Sequence, residues 1–243
     1  MRSFSSADLL TVWERGANLS MLQRALLLLI AANGESTPEM LSELTLGQRD
    51  AQLLNLREQI FGRQLISVLK CINCGERLEL NFDVADLRAT SMVRADEILS
   101  LEIDDYALRF RLPNSLDMEA IANLEVPSGR RVLLQRCLLA SHQHDQEVAA
   151  GELPDEIVRA IAERMAEADP QADMRLAITC PICNHRWQAS FDIVSYFWNE
   201  IDAWSQRVLR EVHTLASVYG WREADILAMS PWRRQYYLIM IGT

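Results

Sequence analysis

The chain has 243 residues, 49% of them apolar and 24% charged, with only 9 Gly and 7 Pro; this excludes a disordered chain, a collagen-like repeat and a low-complexity linker. At this length one elaborated domain or two small ones is expected. Its 34 acidic against 24 basic residues give a net charge of −10, which argues against a non-specific nucleic-acid binder, whose affinity rests on cationic neutralisation of phosphates.

From the N-terminus, Arg2 leads into the polar Ser3, Ser5, Ser6 and Asp8 rather than into an apolar stretch with a cleavage site, so a cytoplasmic chain is expected. Ser5 or Ser6 can cap a helix that runs through Arg15 and stops at Gly16; Ser20 can cap a second through Ala32. The run Ala25 to Ala32 is the longest purely apolar stretch, far short of the ~20 residues a membrane span needs, so no membrane helix is expected. Thr37-Pro38 supplies a cap and a first-turn proline for a short third helix. A fourth is predicted from Gln48 to Phe61, with Leu53, Leu56 and Ile60 on one face and Gly62 at its end. Arg49 and Asp50 are placed in its first turn, in a structural role.

From Ser67 the period changes to two. Val68 to Lys70 and Arg77 to Asp83 alternate as a strand pair around Cys71 and Cys74; Glu97 to Ile103 and Tyr106 to Leu112 form another, with Asp104-Asp105 at the turn. Helices are then predicted over Leu116–Leu124, Arg130–His142 and Pro154–Glu167, with an exposed loop from His142 to Gly151. A third hairpin follows at Met174 to Ile193. A long amphipathic helix is predicted from Ile193 to Tyr219, its apolar residues Val194, Phe197, Ile201, Val208, Val212, Leu215 and Tyr219 recurring at three- and four-residue steps before Gly220. Two short helices finish the chain, the last opened by Ser230 and Pro231. The class is α+β. The expected divisions are an N-terminal helical unit (1–66), a zinc-ribbon domain (67–193) with an acidic insertion (84–173), and a C-terminal helical segment (194–243). Residues 71–179 carry 21 acidic and 11 basic groups, so the whole charge excess lies in that stretch.

Five cysteines, an odd number in a reducing compartment, point to metal ligands plus one spare rather than to disulfides. Cys71-Ile72-Asn73-Cys74 and Cys180-Pro181-Ile182-Cys183 superpose at a shift of 109 residues, which also matches Arg77 with Arg186, Phe82 with Phe191 and Asp83 with Asp192. Two such copies facing each other give four thiolates for one structural Zn²⁺, with no open position for catalysis. The 105 residues between the knuckles exceed the spacing of a compact ribbon, but loop closure grows only logarithmically with length. Redox cycling is disfavoured because neither CxxC opens a helix after a strand. Cys137, among leucines, reads as a core thiol. His142, His144 and Asp145 in a polar loop read as solvated, His185 as a knuckle residue able to bond a sulfur, and His213 as packing or surface. No P-loop, GxGxxG, GxSxG or HExxH is present, so no enzyme and no small-molecule substrate are indicated.

The segment Leu46-Gly47-Gln48-Arg49-Asp50-Ala51-Gln52-Leu53-Leu54-Asn55-Leu56-Arg57, with Phe61-Gly62 and the first knuckle, resembles a known family. So do the second knuckle leading to Phe191-Asp192, Trp198-Asn199-Glu200-Ile201, Glu211-Val212-His213, Tyr219-Gly220-Trp221, Ile226 to Ser230, Arg233-Arg234 and Tyr237. The family is that of the zinc-ribbon baseplate or tail-assembly proteins of contractile phage tails and phage-tail-like extracellular injection systems. The resemblance implies an intracellular, non-catalytic role in building the tail or baseplate, with other tail or baseplate proteins as partners. The last helix adds a candidate partner surface, Trp232, Arg233, Arg234 and Tyr236, with Tyr237 and Met240 expected to turn inward. The alternative is a nucleic-acid-binding zinc-ribbon regulator, with Tyr219-Gly220-Trp221 as a turn and Arg233-Arg234 on phosphates.

Overall fold

The computed structural model describes residues 4–34, 36–89, 97–144 and 146–242. Expectations at Arg2, Ser3 and Asp145, and on residues 90–96 of the acidic insertion, lie outside the described residues. In chain order the elements begin α1 (Ser6–Gly16), α2 (Met21–Ala32), α3 (Pro38–Ser42), α4 (Leu46–Phe61), β1 (Gln64–Lys70), β2 (Arg77–Asp83) and α5 (Val84–Leu87). They continue β3 (Ile98–Ile103), β4 (Tyr106–Arg111), α6 (Ser115–Ile121), α7 (Val126–Cys137), β5 (Leu138–Gln143), β6 (Gln146–Glu147) and α8 (Asp155–Ala168). The last are β7 (Arg175–Thr179), β8 (Arg186–Ser190), α9 (Ile193–Tyr219), α10 (Glu223–Leu227) and α11 (Pro231–Met240). Among the described residues no helix is long and apolar enough to cross a membrane.

Two units divide the chain: Met1–Glu35 with Ile193–Thr243, and Ser36–Asp192. This cut differs from the sequence division at 66/67, because α3 and α4 belong to the second unit.

The first unit is helical. Ser5 with Asp8 and Ser20 with Gln23 form reciprocal capping boxes that start α1 and α2. Both helices pack on α9. A Cβ on Gly16 would lie 2.1 Å from Trp198 Cη2, so the close approach of α1 to α9 requires glycine there. Arg24 lies over the same indole, 4.5 Å from the ring centroid, while its Nε donates to the Gly16 carbonyl. Leu10, Val208, Val212, Leu215, Ile226 and Leu238 form the core that α9 shares with α1, α10 and α11.

In the second unit, Thr45 and Gln48 form the capping box of α4, which therefore starts at Leu46, two residues earlier than predicted from the apolar spacing. Asp50 accordingly sits in the second turn, not the first. The sheets are β1-β2, β3-β4-β5-β6 and β7-β8, all antiparallel. The predicted helix to His142 is corrected: α7 ends at Cys137 and Leu138 opens β5, which pairs with β4. The apolar residues on either side of Gln135 and Arg136 suit a helix or a strand by composition, and pairing with β4 decides for strand from Leu138 onward. For the same reason the expected loop from His142 onward is partly the β5-β6 pair and a 3-10 turn at Ala150–Glu152. One apolar cluster lies between the four-stranded sheet and α8, built on Leu99, Leu108, Phe110, Ile157 and Ile161. A separate one lies under the cysteines, built on Leu78, Ile178, Cys71 and Cys180.

Candidate metal centre

Each cysteine hairpin turns in the same way. The Cys71 N–H donates to the Glu76 carbonyl at 2.8 Å and the Gly75 N–H to the Cys71 carbonyl at 2.9 Å; in the second hairpin Cys180 donates to His185 and Asn184 to Cys180, both at 2.9 Å. The turn needs one residue in the left-handed region, filled by Gly75 at φ 75° and Asn184 at φ 56°, the two residue types that enter it most cheaply. These positions coincide at the 109-residue shift, and so do the strand registers on either side, with Leu69 opposite Leu78 and Ile178 opposite Trp187.

The two turns face each other. Cys71 Sγ lies 3.7 Å from Cys183 Sγ, Cys74 Sγ lies 3.7 Å from Cys180 Sγ, and all four sulfurs fall within 4.8 Å of one another. Four ligands at ~2.3 Å from a central ion stand about 3.8 Å apart at the corners of a tetrahedron. The four cysteines are thus close enough to hold a metal ion. Exchanging each residue with its repeat partner maps the first 3.7 Å pair onto the second, which is the signature of a local two-fold. Phe82 and its counterpart Phe191 also meet, edge to face, with ring centroids 5.7 Å apart.

The inner thiols, Cys71 and Cys180, are buried, whereas Cys74 is exposed and Cys183 half-buried. Backbone N–H groups of Glu76 and His185 donate to Cys74 and Cys183 respectively, again as repeat equivalents. The symmetry breaks at Asn73. Its side chain donates across to Cys183, and with the His185 N–H it lowers that thiol to about 6, whereas the counterpart Ile182 is an exposed apolar residue. Cys74 is carried up to about 12: the Glu76 N–H favours its thiolate, but desolvation and bonds to the other three sulfurs outweigh it. The role of Asn73 is visible only when the second hairpin is in place, because its partner Cys183 lies there. The His185 ring stacks on Trp187, with centroids 5.8 Å apart, and contributes its backbone.

The remaining candidates fall elsewhere. Cys137 is fully buried, and burial pushes its thiol up to about 12, so it is an inert core group. His144 is exposed and lies 3.3 Å from Asp105; His142 is exposed on β5, and His213 on α9. Arg49 and Asp50 form a buried ion pair at 2.7 Å, and burial raises the Asp50 carboxyl to about 6 against the pull of Arg49. Gly47, in the same motif, donates its N–H to Asp169 at 2.9 Å.

On α11, Trp232 is 71% exposed and Tyr236 is exposed beside it, ring centroids 4.4 Å apart. Arg233 is also exposed. Arg234 is not part of that surface: it is 1% exposed, its Nε donates to Glu211 at 2.9 Å and its Nη1 to the Met229 carbonyl at 2.8 Å. Four-residue geometry explains this, since Arg234 and Leu238 share the buried face. Met240, expected inward, is 69% exposed, while Tyr237 packs on Trp221 at 4.8 Å. Arg234 is therefore no phosphate contact either.

One further feature was not read from the sequence, although Asn114-x-x-Asp117 is the capping box that opens α6. Asp117 is fully buried and accepts from Arg111 at 2.6 and 2.9 Å, from Arg136 at 2.8 Å and from the Asn114 N–H at 3.0 Å. Burial alone would raise its carboxyl, but Arg111, the Asn114 N–H and Arg136 together hold it below the usual range.

No curated protein and no solved structure gives a significant match to the chain. Residues 6–198 match the family model described as T4 bacteriophage base plate protein, a span that takes in both cysteine hairpins and the insertion between them and ends early in α9. With well over half of its length matched, the chain belongs to the T4 bacteriophage base plate protein family.

Proposed function

We propose that the chain is a non-catalytic component of a contractile tail or injection-system baseplate, a structural or chaperone-like assembly part stabilised by one Zn²⁺ on Cys71, Cys74, Cys180 and Cys183. The observation that carries the baseplate reading is the family match over residues 6–198. The zinc reading is supported by sulfur separations of 3.7 Å, by the all-thiolate donor set and by N–H donors behind the outer sulfurs. Zinc bound there supplies a fixed link between the two hairpins and a full shell with no site for a substrate. The partners are other tail or baseplate proteins. The surface offered to them is the outer face of α11, with Trp232, Arg233 and Tyr236 continued by the exposed Ile239 and Met240.

The test is co-expression of the tagged full chain with tail and baseplate proteins, followed by co-purification and by analysis of finished particles. Retention with those proteins supports the reading; presence in finished particles marks a subunit and absence from them an assembly factor. Failure to co-purify with any of them overturns it. Elemental analysis of the same preparation should give one zinc per chain, and Cys71→Ser should lose the metal together with thermal stability, since metal binding free energy is folding free energy. A zinc-free wild-type protein would refute the metal assignment.

A further inference from the structure

We propose that the cleft between the first half of α7, the start of α8 and the 3-10 turn Ala150–Glu152 binds a carboxylate-rich peptide segment of a partner protein. The cleft has a volume of about 460 Å³, within the range of ligand sites. Its rim carries Arg130, Arg131 and Arg159, and its floor is apolar, with Leu134 and Leu153 buried and Val158 half-buried.

In the same unit Arg111, Arg136, Arg164 and Arg175 all form ion pairs, as expected where 21 acidic groups surround 11 basic ones. Arg130, Arg131 and Arg159 form none among the described residues, although Asp155 stands four residues before Arg159 and lines the same cleft. What sets these three arginines apart is that they line one cleft, whereas Arg77, Arg109 and Arg186, which likewise form no ion pair among the described residues, are dispersed on separate strands of the unit. Three guanidiniums gathered without partners repel one another, and a bound anion removes that repulsion. Arginine forks also match carboxylates bidentately.

The floor selects the kind of anion. A small inorganic anion would use the arginines and leave Leu134, Leu153 and Val158 wet. A peptide whose acidic side chains flank a large apolar one satisfies both parts of the cleft at once. The net charge of −10 repels acidic chains at long range, so capture of such a segment is local to the cleft rather than a property of the whole surface. The baseplate reading enters only through the source of the partner. Peptide binding is measured on the isolated chain, so its failure leaves the co-purification result standing, and the reverse.

The probe is a fluorescein-labelled peptide with Glu-Asp-Leu-Asp-Glu at its centre, titrated against the full chain by fluorescence anisotropy, with Gln-Asn-Leu-Asn-Gln as the neutral control. Saturable binding of the acidic peptide alone is expected. The triple variant Arg130→Gln, Arg131→Gln, Arg159→Gln should weaken it about tenfold or more, a loss of roughly 1.4 kcal/mol. The charge-matched triple Arg77→Gln, Arg109→Gln, Arg186→Gln, at exposed positions elsewhere in the unit, should leave it within about twofold. Gly151→Glu gives a second route: a Cβ there meets nothing within 4 Å, so the fold stands while a carboxylate of the chain itself occupies the cleft and blocks the peptide. Circular dichroism confirms the fold of each variant. The proposal is overturned by absent saturation, by equal loss in both triples or by unchanged binding in Gly151→Glu. Displacement by inorganic phosphate as effective as by unlabelled peptide, or tighter cleft-dependent binding of single-stranded DNA, overturns it too.

Discussion

Replacing Asp117 by Asn removes one charge while preserving shape, and the geometry fixes what is lost. One carboxylate oxygen accepts from Arg111 Nη1 at 2.6 Å and the Asn114 N–H at 3.0 Å; the other accepts from Arg111 Nη2 at 2.9 Å and Arg136 Nε at 2.8 Å. Whichever way the new amide lies, its NH₂ faces two donors, so two of the four bonds go and two guanidiniums lose their counter-charge. Hydrogen bonds to charged groups contribute about 1.5–3 kcal/mol each, and breaking a buried ion pair by removing one partner costs about 3–5 kcal/mol. For a chain of this size that is a fall in melting temperature of roughly 10 °C. The assay is calorimetric melting of both proteins at pH 7 and then at falling pH. Because the folded-state pKa of Asp117 is depressed, its stabilisation is present above the unfolded value of 3.8 and is lost as pH falls through the folded value. The gap between wild type and variant should therefore narrow below pH 3.8. A fall of less than about 3 °C at pH 7, or a gap that does not change with pH, refutes the reasoning.

Other perturbations follow from the same packing. Gly47→Ala should destabilise by about 1–3 kcal/mol in denaturant melts, since its Cβ would lie 1.8 Å from Asp169 Oδ1. Asp50 titrates the opposite way to Asp117: its raised pKa means that its favourable contribution is complete below 3.8 and lost as pH rises through about 6. Asp50→Asn should remove roughly 3 kcal/mol of that pH dependence, read from unfolding free energies between pH 4 and 7. Trp232→Ala should shift stability by no more than about 0.5 kcal/mol, yet weaken capture by baseplate proteins by about 2 kcal/mol or more; unimpaired capture would remove α11 from the interface.

What was legible in the sequence is what short-range chemistry writes there. Ser20, Thr37 and Ser230 with Pro231 mark helix starts through their own side chains, and α9 runs over the span that its three- and four-residue apolar steps predict, ending at Gly220 in the left-handed region. The meeting of the four cysteines was legible because the repeat at 109 residues records a pairing that no local window contains. The misses depend on partners distant in the chain. β5 is a strand because β4 lies beside it. Arg234 is buried because Glu211 awaits it 23 positions earlier, and Asn73 matters only through Cys183. The start of α4 is a different case, since Thr45-x-x-Gln48 was a local signal outweighed by the apolar pattern after it.

The insertion leaves the first cysteine hairpin at Asp83 and returns to the second at Arg175, and it folds around its own apolar cluster rather than the one beneath the sulfurs. Its anchor is the start of α4, where the Pro113 carbonyl receives the Leu46 N–H and Asp169 receives that of Gly47. The hairpins thus behave as a clasp and the insertion as a cassette carried between its jaws. Each doubling of such a loop costs only about 0.6 kcal/mol in closure entropy, so the cassette is free to change length and charge across a lineage without loosening the clasp. Proteolysis after chelation should then cut first at the knuckles and later inside the cassette.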